Sequence, residues 1–323
     1  MRRGDLMAGR PPAATTGPAE PRRRPVMLAI AGDSAAGKTT LTAGIVAILG
    51  PERVTTVCAD DYHRLDRAER SALGITPLHP TCNHIDIIEQ HLELLAASQP
   101  ILKPVYNHAG GTFDPPQYVA PRDFVVVEGL LPLYSRRMRQ CFDATVYLDP
   151  PEELRRHWKV VRDCAKRGYR PEQVLAEIER REPDAASFIR PQRARADIVV
   201  RFERPSCAGN GDSAHLDVRL VLRPTLPHPD LSAFGSTVAG PIRVRLGRDD
   251  GKPADLLEID GDVPDGTAAG LEATMWERMS LAADLGGNVV GAYGEGLESR
   301  RSHPLALTQL LLVYHLVAAR VTA

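Results

Sequence analysis

The sequence predicts an α/β fold in which a mostly parallel central sheet is covered by helices, with a smaller α/β portion toward the C-terminal end. Three observations carry this expectation. Short apolar runs alternate with longer stretches of helical periodicity, the pattern of strands buried on both faces. A glycine-punctuated loop joins the first apolar run to the first helical stretch. Two later runs end on acidic residues, Asp60-Asp61 and Glu128, where the carboxyl edge of a parallel sheet collects binding groups.

In chain order, Val26–Ala31 reads as a buried strand and Thr39–Leu49 as the helix after the loop. Thr55–Ala59 is a second strand. Asp86–Ala97 repeats apolar residues at helical spacing (Ile87, Ile88, Leu92, Leu95). Phe124–Val127 and Ala144–Leu148 are further strands. Pro151 suits the first turn of a helix to Arg167, where Gly168 can cap it, and Pro171 opens another to about Arg181. Ile198–Phe202 is a fifth strand. Residues 204–215 are rich in Gly, Asn, Asp and Ser and read as a linker or long loop. Residues 25–203 thus form one domain and 216–323 a smaller one. The latter holds strands at Leu216–Leu222 and Ile242–Leu246 and a helix at Gly266–Ala283. Its last helix starts with Ser302 as N-cap and Pro304 near N1.

The 323 residues are 43% apolar and 25% charged, with a net charge of -1. This gives no basic field for nucleic acid, so an anionic ligand must be held by local clusters. The five cysteines are widely spaced and contain no Cys-x-x-Cys pair, which points to a reducing cytoplasm. Residues 1–24 lack the apolar core of a secretory signal. Prolines at 11, 12, 18, 21 and 25 work against an amphipathic transit helix, so the stretch reads as a disordered tail or a misassigned start. The apolar segment Leu305–Val317 is shorter than the ~20 residues of a membrane span. No nucleic-acid or membrane partner is expected; a homo-oligomer stays open.

Gly32-Asp33-Ser34-Ala35-Ala36-Gly37-Lys38-Thr39, followed by Thr40, fits G-x-x-x-x-G-K-[ST] between a strand and a helix. Such a loop turns backbone N–H groups around the phosphates of ATP. Lys38 reaches the β and γ phosphates, and the Thr39 hydroxyl can ligate Mg²⁺. Glu128, at the end of Val125-Val126-Val127, is placed to hold that metal. A carboxylate after Val57-Cys58-Ala59 could take the proton of an attacking hydroxyl. The residues alone do not choose between Asp60 and Asp61, nor between a base and a helix N-cap.

His63, Arg64 and Arg67 follow closely, and Tyr106 and His108 lie in a proline-bounded segment before Gly110-Gly111. They read as loop groups, where binding residues concentrate. In Pro151–Arg167, the residues Leu154, Trp158, Val161 and Ala165 share one face. Lys159, Arg162, Asp163, Lys166 and Arg167 gather opposite. That charged face reads either as solvated or as a lid over transferring phosphate.

Together these motifs resemble phosphoribulokinases of the plant and cyanobacterial type, from about Val26 to Phe202 and more weakly beyond. The resemblance rests on the phosphate loop, Asp60-Asp61-Tyr62-His63-Arg64-Leu65-Asp66-Arg67 and Lys103-Pro104-Val105-Tyr106-Asn107-His108. It rests also on Asp114-Pro115-Pro116, Glu128-Gly129-Leu130, Trp158-Lys159 with Arg162-Asp163 and Arg167-Gly168, and Phe188-Ile189-Arg190-Pro191-Gln192. It implies a P-loop kinase that phosphorylates the C1 hydroxyl of D-ribulose 5-phosphate with ATP and Mg²⁺, a small sugar phosphate being the acceptor. Asp60 is then the general base. Lys38, Arg162 and Asp163 join it in catalysis, and Thr39 and Glu128 hold the metal. His63, Arg67, Tyr106, His108, Lys159 and Arg167 form the acceptor site.

Two departures stand out. Plant members carry a regulatory cysteine where this chain has Ala36, while its partner position is Cys58. The resemblance therefore implies loss of that disulfide switch. Arg190 stands where members often have an acidic residue. A uridine kinase-like enzyme is one rival, although such kinases tend to show Tyr-Asp-Phe where this chain has Tyr106-Asn107-His108. A non-catalytic ATP-binding regulator, docking through Gly286–Gly296 and the last helix, is the other.

Overall fold

The computed structural model describes residues 24–205, 215–229, 240–279, 290–295 and 298–322. The N-terminal stretch up to residue 23, residues 206–214 of the expected linker (with Cys207), residues 280–283 of the expected helix, and Gly286 and Gly296 of the glycine-rich stretch lie outside them.

The chain opens with β1 (Val26–Gly32), the phosphate loop, and α1 (Lys38–Leu49). β2 (Val54–Cys58) runs into a 3₁₀ turn at Ala59–Asp61, followed by α2 (Arg67–Leu73) and α3 (Ile85–Ala96). A hairpin of β3 (Ile101–Asn107) and β4 (Thr112–Val119) precedes β5 (Phe124–Gly129). The short α4 (Arg136–Arg139) leads to β6 (Ala144–Leu148), then to α5 (Glu152–Arg167) and α6 (Pro171–Asp184). A π turn at Ala185–Ile189 and a 3₁₀ stretch at Arg190–Arg195 lead into β7 (Ile198–Glu203). The remainder comprises β8 (Asp217–Leu222), β9 (Ile242–Asp249), β10 (Lys252–Ile259), α7 (Asp265–Met279), β11 (Ala292–Glu295), β12 (Glu298–Arg301) and α8 (His303–Thr322).

Eight strands form one sheet in the order β2-β5-β1-β6-β7-β8-β10-β9. The first five are parallel; β8, β10 and β9 extend the same sheet antiparallel. The C-terminal strands are thus continuous with the parallel sheet. Because strand side chains alternate, Val26, Leu28 and Ile30 enter one core with α1, α7 and α8, whereas Met27 packs on α3 across the sheet. Helices therefore cover both faces, as the apolar runs require.

α8 runs beyond the expected Leu305–Val317. The stretch His303–Val321 is long and apolar enough to cross a bilayer, but about two thirds of it is buried within the fold. Its Gln309 is fully buried: Oε1 accepts from the Gly291 N–H at 2.8 Å and Nε2 donates to the Thr40 carbonyl at 3.4 Å. The helices approach so closely at Gly44 that a Cβ there would lie 2.0 Å from Gln309 Nε2.

The β3–β4 hairpin replaces the loop expected around Tyr106 and His108. Its prolines (Pro104, Pro115, Pro116) fall where the ladder is interrupted, between the Lys103–Gln117 and Val105–Asp114 pairs, so no paired N–H is required of them. α2, too short for apolar periodicity to announce it, starts on a reciprocal capping box of Asp66 and Glu69.

Gly44→Ala is expected to destabilise the protein by about 1–3 kcal/mol through overpacking. Thermal unfolding should show a lower Tm, part of which Gln309→Ala restores in the Gly44→Ala background. An unchanged Tm would contradict the close approach of α1 and α8.

Candidate active site

Parallel pairing of β1 with β5 sets Ala31 beside Gly129, and β2 with β5 sets Cys58 beside Glu128. Three chain reversals therefore emerge at one edge. In the phosphate loop, Ala35 and Gly37 take left-handed φ values of 67° and 97°. Such alternation points backbone N–H groups inward as an anion cradle. Lys38 Nζ donates to the carbonyls of Gly32 (2.8 Å) and Asp33 (3.0 Å), across the loop. Ser34 through Thr40 line the cleft above it.

Glu128 lies against the start of α1. Its two oxygens accept from Thr39 Oγ1 and Thr42 Oγ1, each at 3.3 Å. Burial raises the Glu128 pKa and the Coulomb field of Asp60 adds to this, against Lys38 and the two hydroxyls. A hydroxyl and a carboxylate at this point are hard oxygen donors, and added positive charge would offset the burial, so the pair fits Mg²⁺.

The structure separates the two aspartates. Asp61 turns away: Lys103 Nζ pairs with its carboxylate and the Tyr106 N–H donates to it at 3.3 Å, fastening the hairpin to the sheet. Asp60 lines the cleft, and its Oδ1 accepts the Leu130 N–H at 2.8 Å. Gly129 is required beneath it, since a Cβ would lie 2.9 Å from Asp60 Oδ1 and 2.8 Å from the Ala59 Cβ.

On α5 the expected polarity holds at Leu154, which is buried, and at Trp158, which packs on the core, and fails at other positions. Arg155, Lys159 and Asp163 are buried, while Val161 and Ala165 are exposed at the cleft mouth. Lys159, Arg162 and Asp163 of the charged face turn inward over the phosphate loop, while Lys166 and Arg167 stay exposed. Asp163 gathers three cations: Lys159 Nζ at 2.8 Å, Arg162 Nε at 2.9 Å and Arg167 Nη1 at 3.5 Å. Burial alone would raise its pKa; hydrogen bonds from Arg162 and Lys159 outweigh this and hold it below the ordinary Asp range. Arg162 Nη2 reaches Ser34 Oγ at 3.2 Å. Arg155, missed in the sequence, donates to the Ser34 carbonyl at 3.1 Å and faces Asp33 Oδ2 at 3.5 Å. Its signal was available, for it sits one turn before Lys159 on the same face.

The opposite wall is built on Tyr106. His63 and His108 pack edge-on against its ring, with centroids 4.7 and 5.0 Å away. Arg70, also unread, stacks over the ring at 4.9 Å and bonds its hydroxyl. Arg67 donates to the His108 carbonyl at 2.6 Å. Asn83 fixes the His63 tautomer. Its Nδ2 donates to the carbonyls of Pro77 (3.1 Å) and His79 (3.0 Å), so its Oδ1 must accept from His63 Nδ1 at 2.7 Å. Burial lowers the His63 pKa to about 4, despite the opposing field of Asp60. Cys58 also lines the cleft, with burial pushing its thiol up.

His63 should therefore stay neutral and Nδ1-protonated until the pH approaches about 4. Because a free histidine titrates near 6.5, this site stabilises the fold above that pH and loses its contribution as the pH falls toward 4. Imidazole nitrogen shifts measured by NMR check both points; an ordinary titration would contradict them.

The family model described as phosphoribulokinase / uridine kinase matches residues 27–206. A phosphoribulokinase of Synechocystis sp. is 43% identical over 198 residues, spanning 61% of this chain and 60% of its own length. The chloroplastic phosphoribulokinase of Triticum aestivum is 35% identical over 194 residues, spanning 55% of this chain and 48% of its own. The chain thus covers about half to three fifths of the length of these curated relatives. The solved phosphoribulokinase of Rhodobacter spheroides superposes with a TM-score of 0.57 at 18% identity, over 79% of this chain and 97% of that one, which marks a shared fold. With its phosphate loop, both strand-terminal carboxylates and the inward face of α5 all inside the matched segment, the chain belongs to the phosphoribulokinase / uridine kinase family.

Proposed function

We propose that the protein transfers the γ-phosphoryl group of ATP to the C1 hydroxyl of D-ribulose 5-phosphate. The observation that carries this reading is one cleft walled together by Lys38, Asp60, Arg67 and the cationic face of α5. An anionic acceptor suits that wall better than a nucleoside does. The relatives named phosphoribulokinase point the same way.

Asp60 accepts the proton of the C1 hydroxyl as its oxygen forms a bond to the γ phosphorus. The bond from that phosphorus to the β,γ-bridging oxygen breaks, and ADP leaves. Lys38 and Arg162 offset the charge spread over the transferring group. Thr39 and Glu128 would hold Mg²⁺, which when bound neutralises the β and γ phosphates. Arg67 and Lys159 grip the sugar's own phosphate, with Arg167 nearby; His63, Tyr106 and His108 shape the pocket. Burial leaves His63 uncharged at neutral pH, so Arg67 and Arg70 bring the charge on that wall.

The sheet order supports a direction for the nucleotide. From the loop on β1, Asp60 lies toward β5 and β2, so the base trails toward β6 and β7. There Trp158, Phe202 and Tyr293 line the same cleft. Flat aromatic and apolar walls suit a purine ring.

Purified protein given Mg-ATP should release ADP with ribulose 5-phosphate and not with uridine. Turnover with uridine would retain the phosphate loop and Asp60 but discard the anion pocket. Asp60→Asn should keep nucleotide affinity and lose about 10²–10⁴-fold in kcat; near-normal turnover would overturn the assignment of the base. Arg67→Ala should raise KM for the sugar phosphate while leaving KM for ATP nearly unchanged, as steady-state kinetics would show.

A further inference from the structure

The segment Phe188–Gln192 is singled out by the sequence yet touches none of the groups assigned above. Gln192 within it is fully buried. Both of its amide hydrogens and its carbonyl oxygen are bonded to backbone. Nε2 donates to the Leu130 carbonyl at 2.7 Å and to the Phe188 carbonyl at 3.0 Å, while Oε1 accepts the Leu133 N–H at 2.9 Å. Two carbonyls on one side and an N–H on the other fix the orientation of the amide.

Leu130 is therefore held at both ends. Its carbonyl is tied to Gln192, and its N–H donates to Asp60 Oδ1 at 2.8 Å. Glycine at 129 lets the carboxylate sit directly over this backbone. Asp60 is the middle residue of the 3₁₀ turn Ala59–Asp61, and its side chain has two torsions to be set. The Leu130 N–H sets one of its oxygens, which decides where the other points.

We propose that Gln192 is a positioning residue for Asp60, acting through the Leu130 backbone that it clamps. The proposal rests on the reading of Asp60 as the base. Gln192 touches no reacting atom. It keeps the Glu128-Gly129-Leu130 reversal in one shape, so that the Leu130 N–H meets the carboxylate at a single angle. Misplacing a catalytic group by as little as 1 Å can cost about 10²-fold in rate, so such a clamp matters for kcat far more than for binding.

The test is a double-mutant cycle on the full chain, with Mg-ATP and ribulose 5-phosphate as probes. Gln192→Met keeps the side-chain volume and removes all three hydrogen bonds. It should lower kcat by about 10- to 100-fold and leave KM for ATP and for the sugar phosphate within about twofold. In the Asp60→Asn background the same substitution should cost less than about twofold, because the group it positions is already disabled. Gln192→Glu keeps the acceptor for Leu133 and loses the two amide donors; it serves as the second variant should Gln192→Met fold poorly, and the same coupling is expected. Equal losses in both backgrounds, or a lowered Tm with unchanged kcat, would reduce Gln192 to a structural residue and overturn the proposal. Near-normal turnover of Asp60→Asn alone would instead remove the reading on which it rests, so the two failures are distinct.

Discussion

Parallel hydrogen bonding between β1, β5 and β2 brings three chain reversals to one sheet edge, and every element of the site hangs from them. A parallel ladder forces consecutive strands to leave in the same direction, so their connections must return over a face as helices. The edge where strands end then receives backbone amides, helix N-termini and strand-terminal side chains together. The pairings of Ala31 with Gly129 and Cys58 with Glu128 decide that Lys38, Glu128 and Asp60 share one cleft. A slip of one residue in either ladder would turn the strand-end carboxylates to the other face.

Over this edge lies a helix that turns Lys159, Arg162 and Asp163 inward. Burying Lys159 and Asp163 is expensive in isolation, since each loses its water. The cost is offset because Arg162 and Arg167 share the same carboxylate and Arg155 bonds the loop itself. Loss of Asp163 would leave the buried Lys159 charge without the carboxylate it bonds, a penalty of about 3–5 kcal/mol. The network therefore serves as a rigid frame of positive charge above the phosphate loop. Tyr106 plays the equivalent part on the opposite wall, gathering two histidines and Arg70 around one ring.

Much of this was legible in the chain. Val26–Gly32, Phe124–Gly129 and Ala144–Leu148 were found nearly to the residue because strands buried on both faces are continuous apolar runs. The phosphate loop was legible because its spacing has few other uses. The β3–β4 hairpin was not, since its prolines and exposed β4 residues mimic a loop. The choice between Asp60 and Asp61 was closed to the residues alone, because it depends on Lys103, more than forty positions away. On α5 periodicity placed Leu154 and Trp158 correctly against the core but could not choose between a solvated and a phosphate-facing charged side, because burial of those charges follows their mutual neutralisation. Val161 is consequently outside and Lys159 inside.

The C-terminal helix bears on how such a protein can be inherited. Leu307, Leu310, Leu311 and Leu316 pack into the same core as Leu28, Ile30 and Ile45, while Arg320 bonds the Arg24 carbonyl and Asp123 at the far edge of the sheet. The part of the chain shared with relatives thus has one of its faces covered by a part that the family match does not reach. Recombination that joined this 27–206 segment to a foreign partner would expose that apolar face to water. In this chain a substitution on the inner face of α8 therefore acts on α1 and the sheet as well.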